Sequence, residues 1–364
     1  MKSLFDKTTL NGVTLHNRCI RSATREGMAD EKGHLKETHE TIYENLAAGG
    51  IGLIIAGMAE VLGPSPHTLG IYDDSFIAEY ANLTSAVHKH DTPIVIQLAY
   101  LGSQGGPRVA GGRLWGVSAV EHRSTGVTPK EMTRDNIQVL VASFAEAARR
   151  AKEAGFDGVQ LHAAHGYFLN QSLCTYYNRR IDEYGGTIQN RARVLYEVCT
   201  AVRKAVGDEY LLMAKVNGED LFEGGLTLEE SIVVCHGLEE RGIDAIEVSG
   251  GHGPQKGEEH GIIRTGLKNP KEQSYFADQA TKVAEQLDVP VALVGGNREP
   301  KLLEDILNTT DIEYVTFCRP LIREPHLMRR WQSGDFTSAR CTSCNWCYDN
   351  MKRGEDLACK FEKD

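Results

Sequence analysis

No run of apolar residues in this chain approaches the ~20 needed to cross a bilayer, which excludes an ordinary membrane helix. The first residues, MKSLFDKTTLNG, hold no sustained apolar stretch, so no secretory leader is expected. Basic blocks are missing as well. The formal net charge is −10, which argues against nucleic acid or an anionic membrane surface as a partner. A secreted disulfide pattern is also lacking: Cys19, Cys174, Cys199, Cys235 and Cys318 are scattered through the body, several of them inside apolar runs. That usage suits a reduced, cytoplasmic protein. Nor is there a glycine-rich dinucleotide fingerprint after the first strand-like run, which ends in RSATREG; an open doubly wound sheet would want one there.

What the chain does have is alternation. Apolar runs at residues 18–23, 51–57, 93–99, 156–162, 211–217, 243–250, 290–296 and 312–318 are separated by helix-length segments. Most runs are continuously apolar rather than alternating, as expected of strands covered on both faces. Helices are predicted near 38–49, 75–90, 134–155, 187–206, 228–241, 271–287, 299–309 and 321–333, with Thr133 as a start signal. Glycine closes several of them just before the next strand, as in AKEAGFDG and LEERGIDA. Eight strand–helix units in 364 residues, 41% of them hydrophobic, predict an α/β fold of the (β/α)8 barrel type. One connection, residues 100–132, is too long for a structureless loop, so a short hairpin or excursion over the barrel mouth is expected there.

The chemistry-bearing residues fall at strand ends. After the fourth run come His162, His165 and Tyr167. Two imidazoles can donate hydrogen bonds to a carbonyl oxygen and a phenol can deliver a proton, although two structural histidines and a packing tyrosine would read the same. Gln97 and Lys215 end the third and fifth runs. Lys215 could form a Schiff base, as in a flavin-free aldolase, or simply pair with Glu219 or Asp220. Gly250 and Gly251, Gly295 and Gly296, and Cys318 with Arg319 follow the last three runs, where barrels often bind phosphate. Arg179, Arg180, Asp182 and Tyr184 are expected to lock their own loop, while Tyr176 and Tyr177 either wall the pocket or pack on the surface. Met58 is read as packing.

The combination HAAHGYFLNQ, NRRIDEYGG and NRARVLYEV resembles the Old Yellow Enzyme family of NADH:flavin oxidoreductases, and the likeness runs from LNGVTLHNRCIRSAT to FCRPLIREP. The resemblance implies FMN held over the C-terminal face of the barrel, with NADH or NADPH as hydride donor. The substrate it implies is a small molecule with an activated alkene, an α,β-unsaturated carbonyl compound. It assigns His162 and His165 to the substrate oxygen and Tyr167 to the proton. Gln97 and Lys215 would meet the flavin ring, with Ser22, Ala23 and Thr24 running past it. Gly250, Gly251, Gly295, Gly296, Cys318 and Arg319 would hold its phosphate end. Arg25 departs from the family pattern, standing where a small tuning residue is usual. It is expected in the substrate pocket, favouring an anionic substrate, or turned away. Tyr177 and His252 are placed in the same pocket.

The remaining cysteines, Cys341, Cys344, Cys347 and Cys359, follow C-x2-C-x2-C-x11-C. Four thiolates at this spacing suit zinc or an iron–sulfur cluster. The tail resembles the branch of 2,4-dienoyl-CoA reductase and trimethylamine dehydrogenase, which implies [4Fe-4S]; Zn2+ and no metal stay open. The expected division is a barrel over residues 1–335 and a cysteine-rich tail over 336–364. As the sequence stops at Asp364, any electron relay beyond the cluster would need an electron-transfer protein as partner. Two other activities stay open: dehydrogenation of an amine or alcohol with electrons exported through the cluster, and electron carriage without turnover. A homo-oligomer is compatible with everything above.

Overall fold

A computed structural model of the protein describes residues 1–252, 262–267 and 269–361. Eight parallel strands close on themselves: Cys19–Arg21, Leu53–Glu60, Ile94–Ala99, Gly158–Ala163, Leu211–Asn217, Ala245–Ser249, Val291–Leu293 and Ile312–Phe317. Closure comes where the first strand pairs with both the last (Phe317 opposite Arg21) and the second (Arg21 opposite Ile54). A closed sheet leaves no unpaired edge. The strands are buried almost throughout, which explains their continuously apolar sequence.

Side chains alternate in and out along each strand. The inward positions change chemistry from bottom to top. Ile20, Ile55, Val95, Met213, Ala245, Ala292 and Tyr314 form an apolar plug in the lower barrel. One inward step higher along the same strands, the residues are Ser22, Gln97, Lys215, Glu247 and Thr316, all buried. The lower barrel is a core and the upper barrel is a site.

Below the plug, an antiparallel hairpin of Thr8–Leu10 and Val13–Leu15 covers the N-terminal end and adds Leu10 and Leu15 to the apolar layer. Its turn, Asn11–Gly12, has φ of 39° and 79°, the left-handed pair a tight two-residue hairpin needs. Around the barrel run helices that include Glu37–Ala48, Phe76–His88, Arg134–Glu153, Arg193–Val206 and Leu228–Glu239. Thr133 and Thr227 cap two of them, each hydroxyl accepting from the backbone N–H three residues on.

The long third connection is an excursion, as expected, but not a hairpin. It holds two short 3-10 turns and a two-residue parallel pairing of Trp115–Gly116 with Lys130–Glu131. Tyr100 anchors it, its hydroxyl donating to the Arg113 carbonyl at 2.6 Å and accepting from the Trp115 N–H at 2.9 Å. No helix is long and apolar enough to cross a membrane among the described residues.

Candidate active site

The polar upper layer forms one continuous network. Gln97 donates to Gln160 at 2.7 Å, and Gln160 donates to Glu247 at 2.9 Å. Thr316 donates to the other Glu247 oxygen at 2.9 Å. Lys215 lies directly across the sheet from Glu247, pairs with it at 3.1 Å and donates to Ser22 at 2.8 Å. The carboxylate partner of Lys215 is therefore Glu247 and neither Glu219 nor Asp220. Asp220 is taken up elsewhere, by Asn170, Cys174, Asn217 and the Leu226 N–H. The Lys215 ammonium position is thus occupied on two sides, by Glu247 and Ser22, where a Schiff base would need a free amine.

Above this network lies a cavity of about 250 Å³, just under the usual range for small-molecule sites. It gathers Ser22, Ala23, Thr24, Arg25, Gln97, His162, His165, Tyr167, Lys215, Gly295, Gly296, Cys318 and Arg319 from six strand ends. Met58, packed in the core as expected, lines it too. Gln104, Asn297 and Arg298 were missed from the sequence. So were Glu247 and Gln160 in the network beneath. A carboxylate inside the apolar run AIEVS, one inward step above Ala245, was the available signal for Glu247.

His162 and His165 come from the fourth strand and the turn after it, their ring planes 90° apart and centroids 5.3 Å apart. The turn is tight because His165 and Gly166 both have positive φ, 64° and 78°. A side chain at Gly166 would place its first carbon 2.3 Å from His252 Nε2, so only glycine fits there. His165 Nε2 meets the Ser249 hydroxyl at 2.7 Å, while buried His162 Nδ1 has no hydrogen-bond partner among the described residues. Burial, then the neighbouring His165 and Lys215, hold His162 well below the usual imidazole range. His165 is held down in the same way by burial, Lys215 and His252. Burial thus favours the neutral form of both rings. Tyr167, 4.7 Å from the His162 ring, is kept in its phenol form by burial, against a smaller opposing pull from Arg25.

At the other end of the cavity, Gly295 and Gly296 both have positive φ and pack under the rings of Tyr275 and Phe276. Gly250 lies against Phe276 and, like Gly251, does not line the cavity. Arg319 donates to the Arg264 carbonyl and to Asn345.

Tyr177 and His252 lie outside the cavity lining, in a ring stack with His122 and Phe222. Tyr176 packs on Phe222 and Tyr177. Arg180 forks onto Asp182 at 2.9 and 2.6 Å and reaches the Met132 carbonyl, which locks the 178–186 loop. Burial drops His122 to about 4 and His252 to about 3.

These shifts make stability pH-dependent. An unfolded imidazole takes a proton below about 6.5, while the folded rings refuse it, so folding weakens as pH falls from 6.5 toward 4. Burial raises Glu26 to about 7 and Glu60 to about 8, so their contribution is full below 4.5 and is lost as pH rises through those values. Urea unfolding midpoints should therefore peak near pH 6.5, and Glu60→Gln should flatten the decline between about pH 6.5 and 8. A midpoint that rises steadily from pH 5 to 8 would contradict both assignments.

The tail packs against the loop after the first strand: Leu357 N–H meets Met28 Sδ, and Met351 fills the space beside Gly27. Cys341, Cys344, Cys347 and Cys359 all line one small cavity of about 20 Å³, together with Arg319. Ser343 and Asn345, at φ 54° and 60°, turn the chain around it. Among the described residues, no three His, Cys, Asp or Glu side chains are drawn together closely enough to hold a metal ion. Cys347 and Arg319 line both this cavity and the large one, and Tyr348 and Leu357 wall the large one.

Residues 3–337 match the NADH:flavin oxidoreductase / NADH oxidase family. The chain belongs to that family. It is 33% identical over 328 residues to an NADPH dehydrogenase of Geobacillus sp., covering 89% of this chain and 92% of that protein. A metal reductase of Desulforamulus reducens is 32% identical over 364 residues, covering 99% of this chain and 53% of its own length. The chain thus spans about half the length of that relative, whose alignment takes in the cysteine tail that lies beyond the family match. Among solved structures, an old yellow enzyme homologue from Zymomonas mobilis superposes with a TM-score of 0.77 at 25% identity, covering 92% of this chain and 94% of that one.

Proposed function

We propose that this chain reduces the activated C=C bond of an α,β-unsaturated carbonyl compound, using FMN and hydride from NADH or NADPH. The observation that carries this reading is the single cavity joining two neutral imidazoles and a buried phenol to a buried lysine and a glycine–arginine end. An NADPH dehydrogenase and an old yellow enzyme homologue among its relatives support it.

The donor set fits a flavin mononucleotide. Gly295, Gly296, Cys318 and Arg319 sit on strand-end loops where a phosphate is readily held. Gln97, Lys215 and Ser22 to Thr24 offer a polar and cationic wall for the ring. Bound there, FMN supplies the hydride chemistry that no amino-acid side chain has.

The chain's own part is to bind, polarise and protonate. His162 and His165 donate hydrogen bonds to the substrate carbonyl oxygen and draw electron density from the conjugated double bond. A neutral imidazole has one N–H to donate. Tyr167 gives its phenolic proton to the α-carbon. Tyr348 and Leu357 shield the pocket from water, and Tyr177 and His252 brace the His165 turn from behind.

The four tail cysteines are the second part of the proposal, as ligands of a [4Fe-4S] cluster or, failing that, of Zn2+. Their spacing and shared cavity support it. We take residues 1–335 as the barrel and 336–364 as the metal-binding tail, in a cytoplasmic protein. One observation favours a second reading, the oxidation of an amine or alcohol with electrons leaving to a partner protein: Cys347 lines both cavities.

Anaerobic absorption spectroscopy separates these readings. The purified protein is expected to be yellow, to bleach with NADH or NADPH and to regain colour on adding 2-cyclohexenone. Bleaching by an amine without any nicotinamide would favour the second reading, and no flavin absorption after reconstitution with FMN would defeat both. Iron, sulfide and zinc analysis of the same sample decides the tail.

A further inference from the structure

We propose that Arg25 is the specificity-determining residue of the pocket, selecting substrates that carry a carboxylate in addition to the activating carbonyl. The inference rests on the reading above and narrows it.

Among the described residues, four cationic side chains line the large cavity: Arg25, Lys215, Arg298 and Arg319. Three are already engaged. Lys215 is held by Glu247 and Ser22. Arg298 donates to the Leu267 and Ala339 carbonyls, and Arg319 to the Arg264 carbonyl and Asn345. The Arg25 guanidinium has no hydrogen bond or ion pair among the described residues and stays exposed at the cavity wall.

Acidic side chains of the same loop do not answer it. Glu26 is buried and takes the Tyr43 hydroxyl at 2.8 Å. Glu31 lies 3.4 Å from His67 and 3.8 Å from Arg108. Arg25 thus stands on the wall of the same cavity as the proposed substrate-binding imidazoles, and its planar fork of donors meets no partner among the described residues. That fork matches a carboxylate in a bidentate way. One free unit of positive charge calls for one negative charge, so a monoanion fits better than a polyphosphate.

A matched pair of compounds tests this: 4-oxo-2-pentenoate, an enone bearing a carboxylate, and its neutral methyl ester. Binding to the oxidised, FMN-loaded protein is measured by calorimetry, and reduction is followed by kcat/KM. The wild type should bind the acid about ten-fold more tightly than the ester, the effect of one charge-assisted contact at a partly wet site. Arg25→Gln should abolish that preference and leave the ester within two-fold. Arg25→Lys should keep part of it, because charge survives and the fork does not. Because Arg25 is exposed and makes no hydrogen bond or ion pair among the described residues, neither variant should lose FMN or shift its thermal midpoint.

Equal binding of acid and ester by the wild type would overturn the proposal, as would a preference that survives in Arg25→Gln. If the ester is reduced without any charge preference, the proposal fails alone and the ene-reductase reading stands. If the FMN-loaded wild type neither binds nor reduces either compound, both fail together.

Discussion

Lys215→Met is expected to lower the free energy of unfolding by about 3–5 kcal/mol and to weaken FMN binding at least ten-fold. The reason is the charge it leaves behind. Glu247 is wholly buried, and Lys215 is the cation in direct contact with it. Gln160 and Thr316 would still hold its oxygens, but neutral hydrogen bonds do not replace an ammonium at 3.1 Å. The double variant Lys215→Met/Glu247→Gln separates the two roles. Removing both charges together is often neutral, so urea unfolding of the apoprotein should return to within about 1–2 kcal/mol of wild type. FMN binding should not return, because the cation proposed to face the ring is gone in both variants. Fluorescence titration with FMN measures this directly. If Lys215→Met binds FMN within two-fold of wild type, the lysine is only a strut for Glu247.

The same network marks the boundary of what could be read from the sequence. Barrel topology was legible because each strand is an apolar run and each run is followed by a helix-length segment, and eight repeats leave few alternatives. The strand-end residues were legible by position alone: His162, Gln97, Lys215 and Arg319 stand where a barrel presents its upper face. Glu247 and Gln160 were not, because each is a single polar residue inside an apolar strand, and only the inward phase of that strand gives it meaning. Sequence proximity points Lys215 to Glu219 and Asp220, whereas its partner lies across the sheet. Gln104 and Asn297 escaped for another reason. Gln104 reaches the cavity from a short 3-10 turn and Asn297 from a loop, and neither path follows a long periodicity. His252 stands behind the His165 turn, outside the pocket the resemblance implies for it, in a stack no local pattern could show.

The second large effect concerns the two imidazoles. Replacing both should lower kcat/KM for 2-cyclohexenone by at least about a thousand-fold while FMN stays bound, since removing a single preorganised donor to a developing oxyanion already costs roughly a hundred- to a thousand-fold. The substitutions must respect the backbone. His165 has φ of 64°, so alanine there would add strain that has nothing to do with hydrogen bonding. Glycine accepts that conformation freely, and asparagine tolerates it while keeping an N–H donor. His162 lies on a regular strand, where alanine serves. The decisive comparison is thus His162→Ala/His165→Gly against His162→Asn/His165→Asn, each checked for its flavin spectrum. On the proposed reading the first pair loses turnover and the second recovers part of it, because donors return without imidazoles. Equal loss in both would mean that ring shape, not donation, is what the site needs. The pH profile adds an independent constraint. With both rings held neutral by burial, kcat/KM should show no limb near pH 6.5, and an inflection there would mean that an imidazolium takes part.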